Sequence, residues 1–224
     1  MRNERRVPCF IFGRVTVCNL EEFRYRKISQ NATVNDLVKE LVRKSIHISA
    51  ALTVLLARFW YGLTLGLVAG GVVVYSICEV LRLQGTQVPL VSRVTQIASR
   101  QTDEGKFVLG PVTLGIGILL SLMLFKTPAS TVAIFALTFG DGLASLVGKI
   151  HGNRHFKLVT KKTFAGSAAC FVAVFVSSYF TLHNFLSAFI LALLATVVEV
   201  LPLKNLDNIA IPLAVGFCAS LLGV

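Results

Sequence analysis

Residues 127–153 read TPASTVAIFALTFGDGLASLVGKIHGN. From Thr127 to Gly140 no side chain is charged, and then an acid, Asp141, stands inside what the pattern predicts to be a membrane-crossing helix. A carboxylate at the bilayer centre costs about 2.5–3.5 kcal/mol on insertion scales, so such a residue marks a functional site by default. At 1.5 Å per residue, Asp141 lies about 21 Å along the helix from Thr127. That places it about a third of the way in from the far surface of a roughly 30 Å hydrocarbon core.

The rest of the chain reads the same way. Of its 224 residues 54% are hydrophobic and only 15% are charged, less charge than the roughly 25% usual in soluble domains. Charge-free or nearly charge-free runs recur at 59–82, 107–125, 163–198 and 208–224, and a crossing helix needs about 20 such residues. The expectation is an all-α, polytopic transmembrane bundle of about seven spans: 45–57, 60–80, 107–125, 128–148, 164–182, 184–199 and 208–224. Residues 1–40 form a small N-terminal extension, and 41–224 the membrane domain. Within the extension, VPCFIFGRVTVCNL suits a short strand pair. NATVNDLVKELVRK reads as an interfacial helix capped near Asn31 or Thr33, with Val34, Leu37, Val38, Leu41 and Val42 as its apolar stripe. The start, MRNERRVPCFIFG, has too short an apolar core for a cleaved signal peptide. The cysteines Cys9, Cys18, Cys78, Cys170 and Cys218 follow no metal-ligand spacing and read as buried thiols.

The net charge of +11 would suit nucleic acid in a soluble protein; here it sets topology and meets phosphate groups. Arg82, Arg93, Arg100 and Lys106 lie in one connection, and Lys149, Arg154, Lys157, Lys161 and Lys162 in another, whereas the alternate turns hold only Arg58 and Lys126. The positive-inside rule therefore predicts a cytoplasmic N-terminus. With that orientation the three carboxylates after Glu104, namely Asp141, Glu199 and Asp207, all fall toward the cytoplasmic side, as does Glu79. One shared polar site there is the simplest account.

Around Asp141, the residues Thr138, Ser145 and Gly148 recur at helical spacing, and Gly140, Gly142, Gly148 and Gly152 leave the backbone open to a ligand or a neighbouring helix. Lys161 and Lys162 precede a helix start at Thr163, Gly166 and Ser167, a combination suited either to a polyphosphate or to a topogenic basic loop. Glu199 and Asp207 could join Asp141 in holding Mg²⁺, or could simply snorkel and cap. His47, near Arg43 and Lys44, is a structural hydrogen-bonder or a catalyst. Glu79 and Arg82, three residues apart, suit a local ion pair.

Taken in order, RKSIH, CEVLR, DEGKFVLG, FGDGLASLVGKIHG, KKTFAGS and EVLPLKNLDNIAIPL resemble the polyprenol kinase family, which includes dolichol kinase, phytol kinase and the CTP-dependent diacylglycerol kinase. The resemblance covers about residues 40–215. It implies a transferase that moves the γ-phosphate of CTP to the hydroxyl of a membrane lipid alcohol. It also implies that Asp141, with Asp207 or Glu199, holds Mg²⁺. Lys161, Lys162, Thr163, Gly166 and Ser167 would cradle the phosphates, with Gly140 and Asn208 in the nucleotide site. Arg43, Lys44 and Arg82 would meet developing charge. Asp141, Lys162 and His47 are the catalytic candidates, and Asp141 the candidate acceptor of the hydroxyl proton. Ala165 stands where the family pattern usually has Glu. The rival readings are a phosphatidate cytidylyltransferase, whose DRxD-like ending is missing here, an ion-coupled transporter, and a non-catalytic scaffold. Gly62, Gly66 and Gly70 could pack helices within a chain or between copies in a homo-oligomer.

Overall fold

In the computed structural model the described residues are 6–11 and 14–19, by backbone alone, and 37–86, 106–151, 162–203 and 206–224. The chain divides into two units, Met1–Lys39 and Glu40–Val224. Strands β1 (Arg6–Ile11) and β2 (Arg14–Asn19) of the first unit pair antiparallel, with Val7 opposite Cys18 and Ile11 opposite Arg14. This is the strand pair expected of VPCFIFGRVTVCNL, where alternating, β-branched sequence favours a ladder. Lys161, Arg93, Arg100, Arg154, Lys157, Gly152 and the proposed cap at Asn31 or Thr33 lie outside the described residues.

The second unit is helical: α1 (37–49), α2 (Leu52–Phe59), α3 (Tyr61–Leu83), α4 (Gly110–Leu124), α5 (Ala129–His151), α6 (Phe164–Leu182), α7 (Phe185–Val200) and α8 (Asp207–Leu221). By length and composition α3, α5 and α6 can each cross a membrane, and α4, α7 and α8 are shorter apolar helices. The expected first span, 45–57, is divided. At residues 50–54 the backbone tightens into three-residue bonds, with Ala51 N–H to Ile48 O, Thr53 N–H to Ala50 O and Val54 N–H to Ala51 O. The Thr53 hydroxyl adds a bond to Ala50 O. Such turns are frequent at helix ends and as connectors, so His47 belongs to α1 and not to α2.

Helix α5 is the hub. Its buried residues belong to two cores. On one side Ala129, Val132, Ala136 and Ala144 meet Cys170 and Val174 of α6, Leu191, Ala192 and Ala195 of α7, and Ile211, Val215 and Ala219 of α8. On the other, Ile134 and Leu137 meet Leu114, Ile118 and Leu122 of α4, backed by Ala50, Val54, Leu65 and Val68. Small side chains dominate the first core because lipid gives apolar surface no reason to leave it, so helices associate through close backbone packing. Large apolar residues point outward instead, among them Leu63 and Leu67 on α3, Phe180 on α6 and Phe217 on α8. That inversion suits a protein whose solvent is hydrocarbon.

Candidate functional site

Asp141 ends a π-helical turn, Ala136–Asp141, in the middle of α5. Such a turn inserts one residue into the helix, shifts the phase of every later position, and is frequent at functional sites. The turn packs against α6, α7 and α8. Asp141 is thereby aimed into the bundle and is 3% exposed. Of the polar face expected of Thr138, Ser145 and Gly148, only Thr138 lies within the π turn and is shifted in phase. The Thr138 hydroxyl bonds back to Ile134 O at 2.9 Å within its own helix.

The partner of Asp141 comes from α1. Glu40, Lys44 and His47, at i, i+4 and i+7, form a stripe that is buried, while Val38, Leu41 and Ile46 of the same helix are exposed. This helix turns its polar side inward and its apolar side outward. Lys44 Nζ donates to Asp141 Oδ2 in an ion pair whose two side chains are each 4% exposed. His47 Nδ1 faces the same oxygen at 3.7 Å, beyond hydrogen-bonding range, and is buried with no hydrogen-bond partner among the described residues. One turn away, Glu40 accepts from Arg43 at 2.5 Å and lies 3.8 Å from Lys149 of α5. The sequence reading passes over Glu40, although its helical spacing from Lys44 and His47 is the signal that could have found it.

The second arm gathers at the starts of α6 and α8 and the end of α7. The Thr163 hydroxyl caps α6 by accepting from Gly166 N–H at 3.2 Å. Lys162 donates to Glu199 Oε1 at 2.8 Å and lies 3.8 Å from Asp207 Oδ2. The Ser167 hydroxyl donates to Glu199 Oε2 at 3.1 Å. Both oxygens of Glu199 are thus engaged, and it acts as the post that holds Lys162 and Ser167. Burial pushes the Lys162 ammonium toward deprotonation, but Glu199, with Asp141 and Asp207 behind it, outweighs that and raises its pKa above the ordinary value. Asp141 also interacts electrostatically with Asp207 and Lys162. The two arms therefore make one charged group of Lys44, Asp141, Lys162, Glu199 and Asp207.

Other expected residues lie elsewhere or serve packing. Arg82 grips Glu79 through two bonds of 2.8 and 2.9 Å and donates to Lys106 O. Val108 N–H also donates to Glu79, so this is the expected local ion pair turned into a clasp for the start of α4. The Asn208 amide donates to Thr113 Oγ1 at 2.9 Å, tying α8 to α4. A Cβ on Gly140 would come 2.8 Å from Val174, one on Gly148 2.7 Å from Thr163 Oγ1, and one on Gly166 2.7 Å from Ala144 O. Those glycines are filled by neighbouring helices.

Among the described residues no three acidic, His or Cys side chains converge as a ready-made metal cage. Mg²⁺ bound through one or two carboxylates plus substrate phosphates needs no such cage. Glu199 accepts a described hydrogen bond on each oxygen, whereas Asp207 accepts one on Oδ1 from Asn208 N–H and Asp141 one on Oδ2 from Lys44, so the two aspartates fit that requirement better.

No family model matches the chain, and no solved structure does. Curated relatives do. "Probable phytol kinase 2, chloroplastic" of Glycine max is 32% identical over 140 residues, 54% of this chain and 48% of that protein. "Phytol kinase 1, chloroplastic" of Arabidopsis thaliana is 25% identical over 159 residues, 63% of this chain and 52% of that protein. An uncharacterized protein of Methanocaldococcus jannaschii is 28% identical over 189 residues, 80% of this chain and 92% of its own length. The chain spans about half the length of the phytol kinases it matches. The resemblance to the polyprenol kinase family, read from the motifs, is borne out by these relatives.

Proposed function

We propose that this chain is a membrane-embedded kinase that transfers the γ-phosphate of a nucleotide, CTP by resemblance, to the hydroxyl of a lipid alcohol. The observation that carries the reading is the buried group of Lys44, Asp141, Lys162, Glu199 and Asp207 inside an otherwise apolar bundle. The relatives named phytol kinase support a lipid alcohol as acceptor. The lipid oxygen would bond to the γ-phosphorus as the β–γ bridging P–O bond breaks, releasing a nucleoside diphosphate and a proton. Phosphoryl transfer of this kind is mostly positioning and charge neutralisation.

In this reading Lys162, Thr163 and the first turn of α6 hold phosphate oxygens, and Glu199 keeps Lys162 in place. Asp141 and Asp207 would hold Mg²⁺, which neutralises charge on the phosphates and orients them. Asp141, which His47 Nδ1 faces at 3.7 Å, is the proposed acceptor of the hydroxyl proton. The alcohol would reach the group sideways from the bilayer. A seven-crossing arrangement with a cytoplasmic N-terminus, as expected from the basic connections, would put the site on the side where nucleotide is found.

The test is purified protein given CTP labelled in either the α- or the γ-phosphate, with phytol, a polyprenol and diacylglycerol in turn. Label passing to lipid from the γ-position alone is expected, with Mg²⁺ required. Label passing from the α-position would mean nucleotidyl transfer, as in a phosphatidate cytidylyltransferase, and would end this reading.

A further inference from the structure

The two lysines of the buried group are held differently. Lys162 lies between two acids, Glu199 at 2.8 Å and Asp207 at 3.8 Å. Lys44 pairs with Asp141 alone among the described salt bridges. Among the described residues, three carboxylates, Asp141, Glu199 and Asp207, face two ammonium groups, Lys44 and Lys162. The oxygen that receives Lys44 is also faced by His47 Nδ1, buried and, among the described residues, without a hydrogen-bond partner. Buried polar atoms are rarely left unpaired, so His47 Nδ1, 3.7 Å from Asp141 Oδ2, is a buried nitrogen that a further group at this place would engage. The Lys44 charge sits on a flexible four-carbon stem, and its described hold on that oxygen is this one ion pair.

We propose that Lys44 and a divalent cation compete for Asp141. The inference rests on the phosphotransfer reading for its purpose: incoming phosphates draw Lys44 away, Asp141 is released to the cation, and cation and nucleotide bind together. Lys44 is then a positioning residue that withholds Asp141 from free metal until phosphate arrives. Metal binding without nucleotide is suppressed, and nucleotide and metal strengthen each other's binding reciprocally.

The experiment uses the full chain in nanodiscs with Mn²⁺ as probe, followed by electron paramagnetic resonance and by thermal unfolding, with no nucleotide present. Lys44→Met keeps the apolar stem but removes the charge, leaving a buried carboxylate uncompensated; Mn²⁺ is expected to bind it at least about tenfold more tightly than the wild type. Mn²⁺ should also raise the unfolding temperature of Lys44→Met by several degrees more than that of the wild type, and the gain should vanish in Lys44→Met/Asp141→Asn. If Lys44→Met does not fold, Lys44→Gln is measured in the same way. Equal Mn²⁺ affinity in wild type and variant, or a gain that survives Asp141→Asn, overturns the proposal. The measurement needs no CTP, so its outcome is separate from that of the labelled-CTP assay: kinase activity without competition rejects this inference alone, and competition without phosphate transfer rejects the functional reading alone.

Discussion

Asp141 and Glu199 are both buried carboxylates paired with lysine, yet their substitution should read out differently. Asp141→Asn removes the partner of Lys44, a charge only 3% exposed. Breaking a buried pair from one side typically loses about 3–5 kcal/mol, so a lower unfolding temperature is expected together with loss of γ-phosphate transfer. Glu199→Gln keeps the hydrogen-bonding shape around Lys162 and Ser167 but removes the charge that raises the Lys162 pKa. A group with a raised folded pKa contributes stability that is fully present below its unfolded value, about 10.4 for Lys, and lost as pH climbs through the folded one. In the wild type that window lies above about pH 10. With Glu199 neutral, burial pulls the ammonium down, and the alkaline limb should move toward neutral pH. Unfolding temperatures measured across roughly pH 6 to 11, a range that brackets both limbs, would show the shift; superimposable profiles would argue that Lys162 depends little on Glu199. The acids are legible in the sequence because charge is rare in these spans. Their pairing is not, since Lys44 and Asp141 are separated by 97 positions.

Between elements, the tight contacts concern glycines and one proline. Pro212 lies inside α8, and a proline leaves the carbonyl four residues earlier, here that of Asn208, without its helical partner. That carbonyl packs on α4 where a Cβ on Gly117 would stand 2.2 Å from it. Gly117→Ala must therefore push the start of α8, and Asp207 with it, away from α4. A loss of about 1–3 kcal/mol, the usual range for overpacking, is expected with reduced phosphate transfer. Gly62→Ala is the control, since a Cβ there meets nothing within 4 Å and alanine favours the helix by about 0.5–1 kcal/mol. Unfolding temperatures that fall for both variants alike would remove the contact from the account. Helix α1 is half legible. Its apolar stripe stands out in the sequence, but the opposite polar stripe looks like a solvated face, and only the packed structure turns it toward α5.

For the whole molecule, the testable matter is orientation. Single cysteines at Arg93 and Arg154, in a background without other cysteines, should react with a membrane-impermeant thiol reagent from the side of the N-terminus. One at His183 should react only from the other side. Reaction of all three from one side would contradict the proposed crossing pattern. The outward-facing belt of Leu63, Leu67, Phe180 and Phe217 makes a detergent or lipid environment necessary for all these measurements.

Hydropathy and charge placement were enough, from sequence alone, to define a helical membrane domain, the approximate bounds of most of its helices and the identity of the intramembrane acids. A bilayer demands long apolar helices with internally bonded backbone and penalises every stray charge, which is why these features can be read directly. Tertiary structure decided the π turn that aims Asp141 inward and the break at residues 50–54. It also decided the inward polar face of α1 and the division of acids between Lys44 and Lys162. Those depend on which helix lies beside which, and a one-dimensional pattern of oily and charged residues leaves a buried charge's partner open until the helices have packed.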